Sequence, residues 1–182
     1  MAQEKKMKFK PRFIEAFRSG QKITSLRMMD FRCRVYNDDN PDHPAKYVHD
    51  DTLKCHTHIE TIEGLMLSLP PGSKVKYSTS SYELLKRQPY WEGDEIALVA
   101  KYDSGEIAPF ATATISDISP VMGDRIETID AIRDGFNPDR APLSELLAFM
   151  RDIYPNKDPL SEMYWLYTFT NIQMLPMWGG AA

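Results

Sequence analysis

Residues 94–119, "DEIALVAKYDSGEIAPFATATISDIS", decide the fold class. The stretch reads as a strand up to Lys101, breaks at turn residues Asp103–Gly105, and resumes as a second β-rich run from Pro109, which predicts a β-hairpin. Downstream, "RIETIDAIRDGF" (125–136) predicts a short helix closed by Gly135. In "APLSELLAFMRDIYP" (141–155), Pro142 lies near a helix start and Pro155 stops it. Leu143, Leu146, Leu147, Met150 and Ile153 form its apolar stripe. "MYWLYTFTNI" (163–172) is the most strand-like run in the chain.

Upstream, "KPRFIEAFRSGQK" (10–22) predicts a helix with Pro11 in its first turn, Phe13, Ile14 and Phe17 on one face, and Gly20 as its left-handed stop. "KITSLRMM" (22–29) then begins a strand. Residues 35–51, rich in Asn, Asp, Pro and His without a period, read as a long loop. "CHTHIETIEGLMLSL" (55–69) and "SKVKYSTSS" (73–81) alternate weakly as strands do. "SSYELLKRQP" (80–89) opens as a capped helix through Ser80 and Glu83. Strands and short helices in mixed order, without a βαβ rhythm, predict an α+β fold around a small, mostly antiparallel sheet or barrel.

The 182 residues match one domain of ordinary size, and 42% hydrophobic residues suffice for its core. Two cysteines, Cys33 and Cys55, do not make a disulfide framework. The N-terminal residues lack an apolar run behind their lysines, and no stretch approaches a membrane span, so the expectation is a soluble cytoplasmic protein. Residues 1–34 hold ten Lys/Arg against three acids, and the rest of the chain twelve against 23. That asymmetry points to a basic face for an anion such as phosphate, unless Lys5–Lys10 is only a solvated arm.

Glycine-rich phosphate loops, nucleophile elbows and paired CxxC motifs are missing from the sequence. His56 and His58 alternate beside Cys55, His49, Asp50 and Asp51, but no second, well-spaced ligand pair completes a zinc set, and neither metal nor cofactor is expected. Tyr164, Trp165, Tyr167 and Phe169 read as core before they read as a base-stacking platform. The remaining group is "GQKITSLR" (20–27). Lys22 and Ser25, three residues apart across a helix-to-strand corner, can converge as an amine and the hydroxyl it activates, and Arg27 can grip a carboxylate or phosphate. By spacing alone, a polar, solvated strand start is the favoured explanation of these residues.

"FKPRFIEAFRSGQKITSLR" (9–27) resembles the opening of an ASCH domain, a branch of the PUA-like superfamily. "WEGDEIALVA", "FATATISDIS" and "AIRDGF" are similar to that family's next elements. "LSELLAFMRDIYP" followed by "YWLYTFTNI" resembles the end of the small bacterial N4-acetylcytidine amidohydrolases. The resemblance implies a small barrel-like sheet with a cleft, and RNA or a modified nucleoside as partner. It places the catalytic Lys on Lys22, the catalytic hydroxyl on Ser25 with Thr24 adjacent, and the acid on Asp134; Arg27, Thr24 and Gly20 would bind substrate. Two positions depart from the amidohydrolases: Ser25 stands for Thr, and Asp134, shorter by one methylene, stands for Glu. Residues 28–90 are an insertion within a single domain spanning 1–182. The functional expectation is an RNA- or nucleoside-interacting domain that hydrolyses an acylated or modified nucleoside. Its alternatives are a non-catalytic RNA- or nucleotide-binding module, or a protein-interaction domain working through the inserted loop.

Overall fold

The hairpin of residues 94–119 forms the middle of a five-stranded sheet. A computed structural model describes residues 5–29, 33–36, 46–48, 57–60, 66–69 and 81–176. In chain order the elements are β1 (Lys6–Phe9), a 3-10 turn over Pro11–Phe13 leading into α1 (Ile14–Arg18), β2 (Thr24–Met28), β3 (Cys33–Tyr36) and β4 (Lys46–Val48). There follow β5 (Thr57–Glu60), β6 (Met66–Leu69), α2 (Ser81–Arg87), β7 (Glu95–Lys101) and β8 (Ile107–Met122). A second 3-10 turn over Gly123–Arg125, α3 (Thr128–Arg133), α4 (Pro142–Ile153) and β9 (Met163–Met174) complete the chain.

The chain divides into two compact units, 1–28 with 90–182, and 29–89. In the first, the strand order is β1-β7-β8-β9-β2, with every pairing antiparallel except β1 on β7. The fold is therefore α+β, a mixed five-stranded sheet curled into a half-barrel with short helices. Register irregularities at Thr112/Thr114 and Ile115/Asp117 let β8 bend. The free edges, β1 and β2, are joined by a side chain: the Arg27 guanidinium donates through Nη2 to the Lys8 carbonyl at 2.7 Å. Phe9, Phe17, Phe110 and Phe169 pack at 5.0–6.4 Å between centroids and fill the hollow of the curl.

The second unit holds a four-stranded antiparallel sheet, β4-β3-β5-β6, together with α2. Residues 35–51, expected to be a loop, contribute strand residues to β3 and β4. The single strand expected over 55–69 is two, β5 and β6, paired with each other. These strands are three or four residues long, and pairing with distant partners stabilises them more than their own periodicity does. Cys55, His56, His49, Asp50 and Asp51 of the weighed zinc group lie outside the described residues, as do most of the strand expected over 73–81 and Ser80 of the helix cap.

Lys5–Lys10 is more than a solvated arm. Met7 and Phe9 are buried, Lys6 and Lys8 point outward, and β1 pairs with β7 some ninety residues away. Four alternating residues are too few to announce a strand before the partner is known. Among the described residues, no helix is long and apolar enough to cross a membrane.

Candidate functional site

The site begins at the end of α1. Gly20 takes a φ of 77°, a left-handed stop that glycine adopts without strain, and the chain reverses toward α3. The Lys22 amide donates to the Ala16 carbonyl at 2.8 Å and the Ile23 amide to the Arg133 carbonyl at 2.9 Å. The Gln21 side-chain amide donates to the carbonyls of Ile132 and Phe136. Residues 21–23 are thus stitched to the turn that ends α3. Gly135 is required in that turn twice over. Its φ is 95°, and a Cβ there would stand 3.1 Å from Lys22 Cδ and 3.2 Å from Ala16 Cβ.

This seam brings Lys22 onto Asp134. Lys22 is 1% exposed and Asp134 6%. The Lys22 ammonium donates to the Thr24 carbonyl at 2.9 Å, to the Asp134 carbonyl at 2.5 Å, and to Asp134 Oδ1, closing an ion pair. The other carboxylate oxygen, Oδ2, accepts the Leu26 amide at 3.1 Å. Phe9, Phe13 and Phe17 surround the amine, with ring centroids 4.7–5.5 Å from Nζ. Burial drives the Lys22 pKa below its ordinary value. The Asp134 charge and hydrogen bond oppose that shift, while Arg27 and Arg12 add to it.

Lys22, Ser25, Arg27 and Asp134 line one cleft of about 310 Å³, with Leu146 and Met150 of α4 as its apolar wall. The Ser25 side chain is buried on β2 opposite Tyr167 of β9. No hydrogen bond joins its hydroxyl to Lys22 or Asp134. The Thr24 hydroxyl is buried and lacks a hydrogen-bond partner among the described residues; it does not line the cleft. Gly20 shapes the corner from outside. Five of the six sequence-predicted residues, all but Arg27, are thus buried around the Lys22–Asp134 seam or bound the corner that makes it.

Two cleft residues were not read from spacing. Tyr154, at the end of α4, accepts the Met28 amide at 3.3 Å and lines the cleft. Lys101, at the end of β7, joins Lys8 and Lys10 around it. A tyrosine beside a proline stop and a lysine closing a strand carry no distinctive local pattern.

No family model matches this chain, and no curated protein does. A solved structure shares its fold. Protein EF3133 from Enterococcus faecalis V583, described by the family-model name DUF984, aligns over 96% of this chain and 78% of its own, at 10% identity and a TM-score of 0.50. At that identity the likeness concerns the chain path alone.

Proposed function

We propose that this chain is an ASCH-type, PUA-like domain whose cleft binds a nucleobase or nucleoside and hydrolyses an acyl group from it. The observation that carries the reading is the meeting of Lys22 and Asp134, 112 residues apart, beneath a cleft that Ser25 also lines. An ionisable pair buried in a cleft is the kind of arrangement that tunes an amine for proton transfer. The ASCH resemblance of residues 9–27 and 131–136 supports the same assignment.

In this reading the neutral Lys22 amine takes the proton of the Ser25 hydroxyl as Ser25 Oγ forms a bond to the acyl carbon. The C–N bond then breaks, the proton passes to the departing amine, and water cleaves the acyl-serine. Asp134 orients Lys22, and Arg27 binds substrate. Hydrolysis of N4-acetylcytidine by the purified chain tests it. Activity that Lys22→Ala or Ser25→Ala leaves unchanged would sink the mechanism.

One observation favours a second reading, non-catalytic binding of a nucleotide or RNA end. All three Lys22 protons already have acceptors, and the Ser25 hydroxyl is not bonded to the amine. Binding of cytidine without turnover of its acetylated form is the outcome that selects it.

A further inference from the structure

Arg27 has an atom that the fold leaves unserved. Its Nη2 holds the Lys8 carbonyl and its guanidinium lies over Phe9 at 5.0 Å, so the side chain is fixed in place. Its Nε, however, is buried and has no hydrogen-bond partner among the described residues. A buried donor without an acceptor is unfavourable, and the same residue lines the cleft. Lys8 and Lys101 line that cleft too, on the neighbouring strands β1 and β7. Both are exposed, and neither side chain has an acidic partner among the described residues. Lys10 is already engaged by Asp103 at 3.1 Å.

We propose that Arg27, Lys8 and Lys101 form an anion subsite at the mouth of the cleft, which takes the phosphomonoester of a nucleotide. The proposal rests on the cleft being a nucleobase site and names the substrate class more narrowly: a nucleoside monophosphate or the phosphorylated end of an RNA. A phosphomonoester offers a dianion with several acceptors to one planar donor and two ammonium groups. The acidic excess outside residues 1–34 disfavours a long strand laid over the body, whereas one terminal phosphate needs only this corner.

The test uses the full chain with cytidine, cytidine 5′-monophosphate and inorganic pyrophosphate as probes, with affinities read by calorimetry. The monophosphate should bind at least ~10-fold more tightly than cytidine at low salt, the advantage should shrink as salt rises, and pyrophosphate should displace it. Arg27→Gln should abolish the advantage. Because Arg27 also joins β1 to β2, Lys101→Gln, at an exposed position, serves as the second variant and should reduce the advantage ~3-fold or more. Equal affinity for cytidine and its monophosphate overturns the proposal, as does a preference that survives both substitutions, or binding by neither phosphate probe. Phosphate preference without acyl hydrolysis keeps the subsite and removes the hydrolase reading, and hydrolysis without phosphate preference does the reverse. Short RNAs with a 5′-phosphate or a 5′-hydroxyl separate the two sources: preference for the phosphorylated RNA over the mononucleotide assigns the subsite to RNA ends, and the opposite order to free nucleotides.

Discussion

Lys22 and Asp134, 112 residues apart, form a buried ion pair in which one carboxylate oxygen takes the lysine ammonium and the other the Leu26 amide. The pair therefore ties the β2 edge of the sheet to the end of α3. Removing one partner strands the other in a nearly dry site. Asp134→Ala should cost about 3–5 kcal/mol, read as a fall in the urea midpoint. Lys22→Met with Asp134→Leu, which removes both charges and keeps volume, should be far milder than either single loss of charge. Equal cost for the double and single changes would show that the pair is not the anchor.

Gly135 faces the same lysine. Gly135→Ala must adopt a φ of 95° and also push its Cβ to 3.1 Å from Lys22 Cδ. The expected loss is about 1–3 kcal/mol. Gly105→Ala, also at positive φ but with nothing within 4 Å of the added methyl, should cost less. The ranking of the two variants in chemical denaturation checks the claim.

Alkaline pH should weaken the fold through Tyr164. Burial, then the Glu162 charge, pushes its pKa up to about 12, and its hydroxyl donates to the Pro159 carbonyl at 3.1 Å. The folded state holds this proton more tightly than the unfolded chain, whose tyrosine titrates near its ordinary value of 10.0. The contribution is complete below pH 10 and is lost as pH rises toward 12. Tyr167 is shifted in the same direction. Lys22 acts oppositely: its lowered pKa makes the cost of burying its charge fade as pH rises toward 10.5. Tyr164→Phe should flatten the loss of stability measured between pH 9.5 and 11.5.

Ser25 separates catalysis from stability. Its hydroxyl makes no hydrogen bond to Lys22 or Asp134, so Ser25→Ala should change the unfolding free energy from urea denaturation by less than about 1 kcal/mol. If the hydrolase reading holds, the same change should lower kcat on N4-acetylcytidine at least ~10²-fold. A variant that loses both stability and activity would point to a structural hydroxyl.

The sheet edges show why parts of this fold were legible and others were not. The 94–119 hairpin and the 163–172 run declare themselves, because their turn residues and β-rich composition are local. The α4 stripe and the glycine stops at 20 and 135 are local too, since helix periodicity and positive φ are written into a few adjacent residues. β1 is not, because four residues become a strand only on meeting β7. Most of β3 and β4 falls in the stretch read as a loop for the same reason, and the strand-like run 55–69 does not show the break between β5 and β6.

The candidate site divides along the same line. The residue types at 20–27 and 134–135, with their glycine corners, were determined by the sequence alone. Only the tertiary structure decided that Lys22 is buried against Asp134 within an aromatic cage, that Ser25 shares their cleft unbonded, and that Tyr154 and Lys101 join it. Burial and ion pairing depend on what the curled sheet and the ends of α3 and α4 bring near, and those neighbours lie 112 residues away and more, beyond the reach of any local pattern.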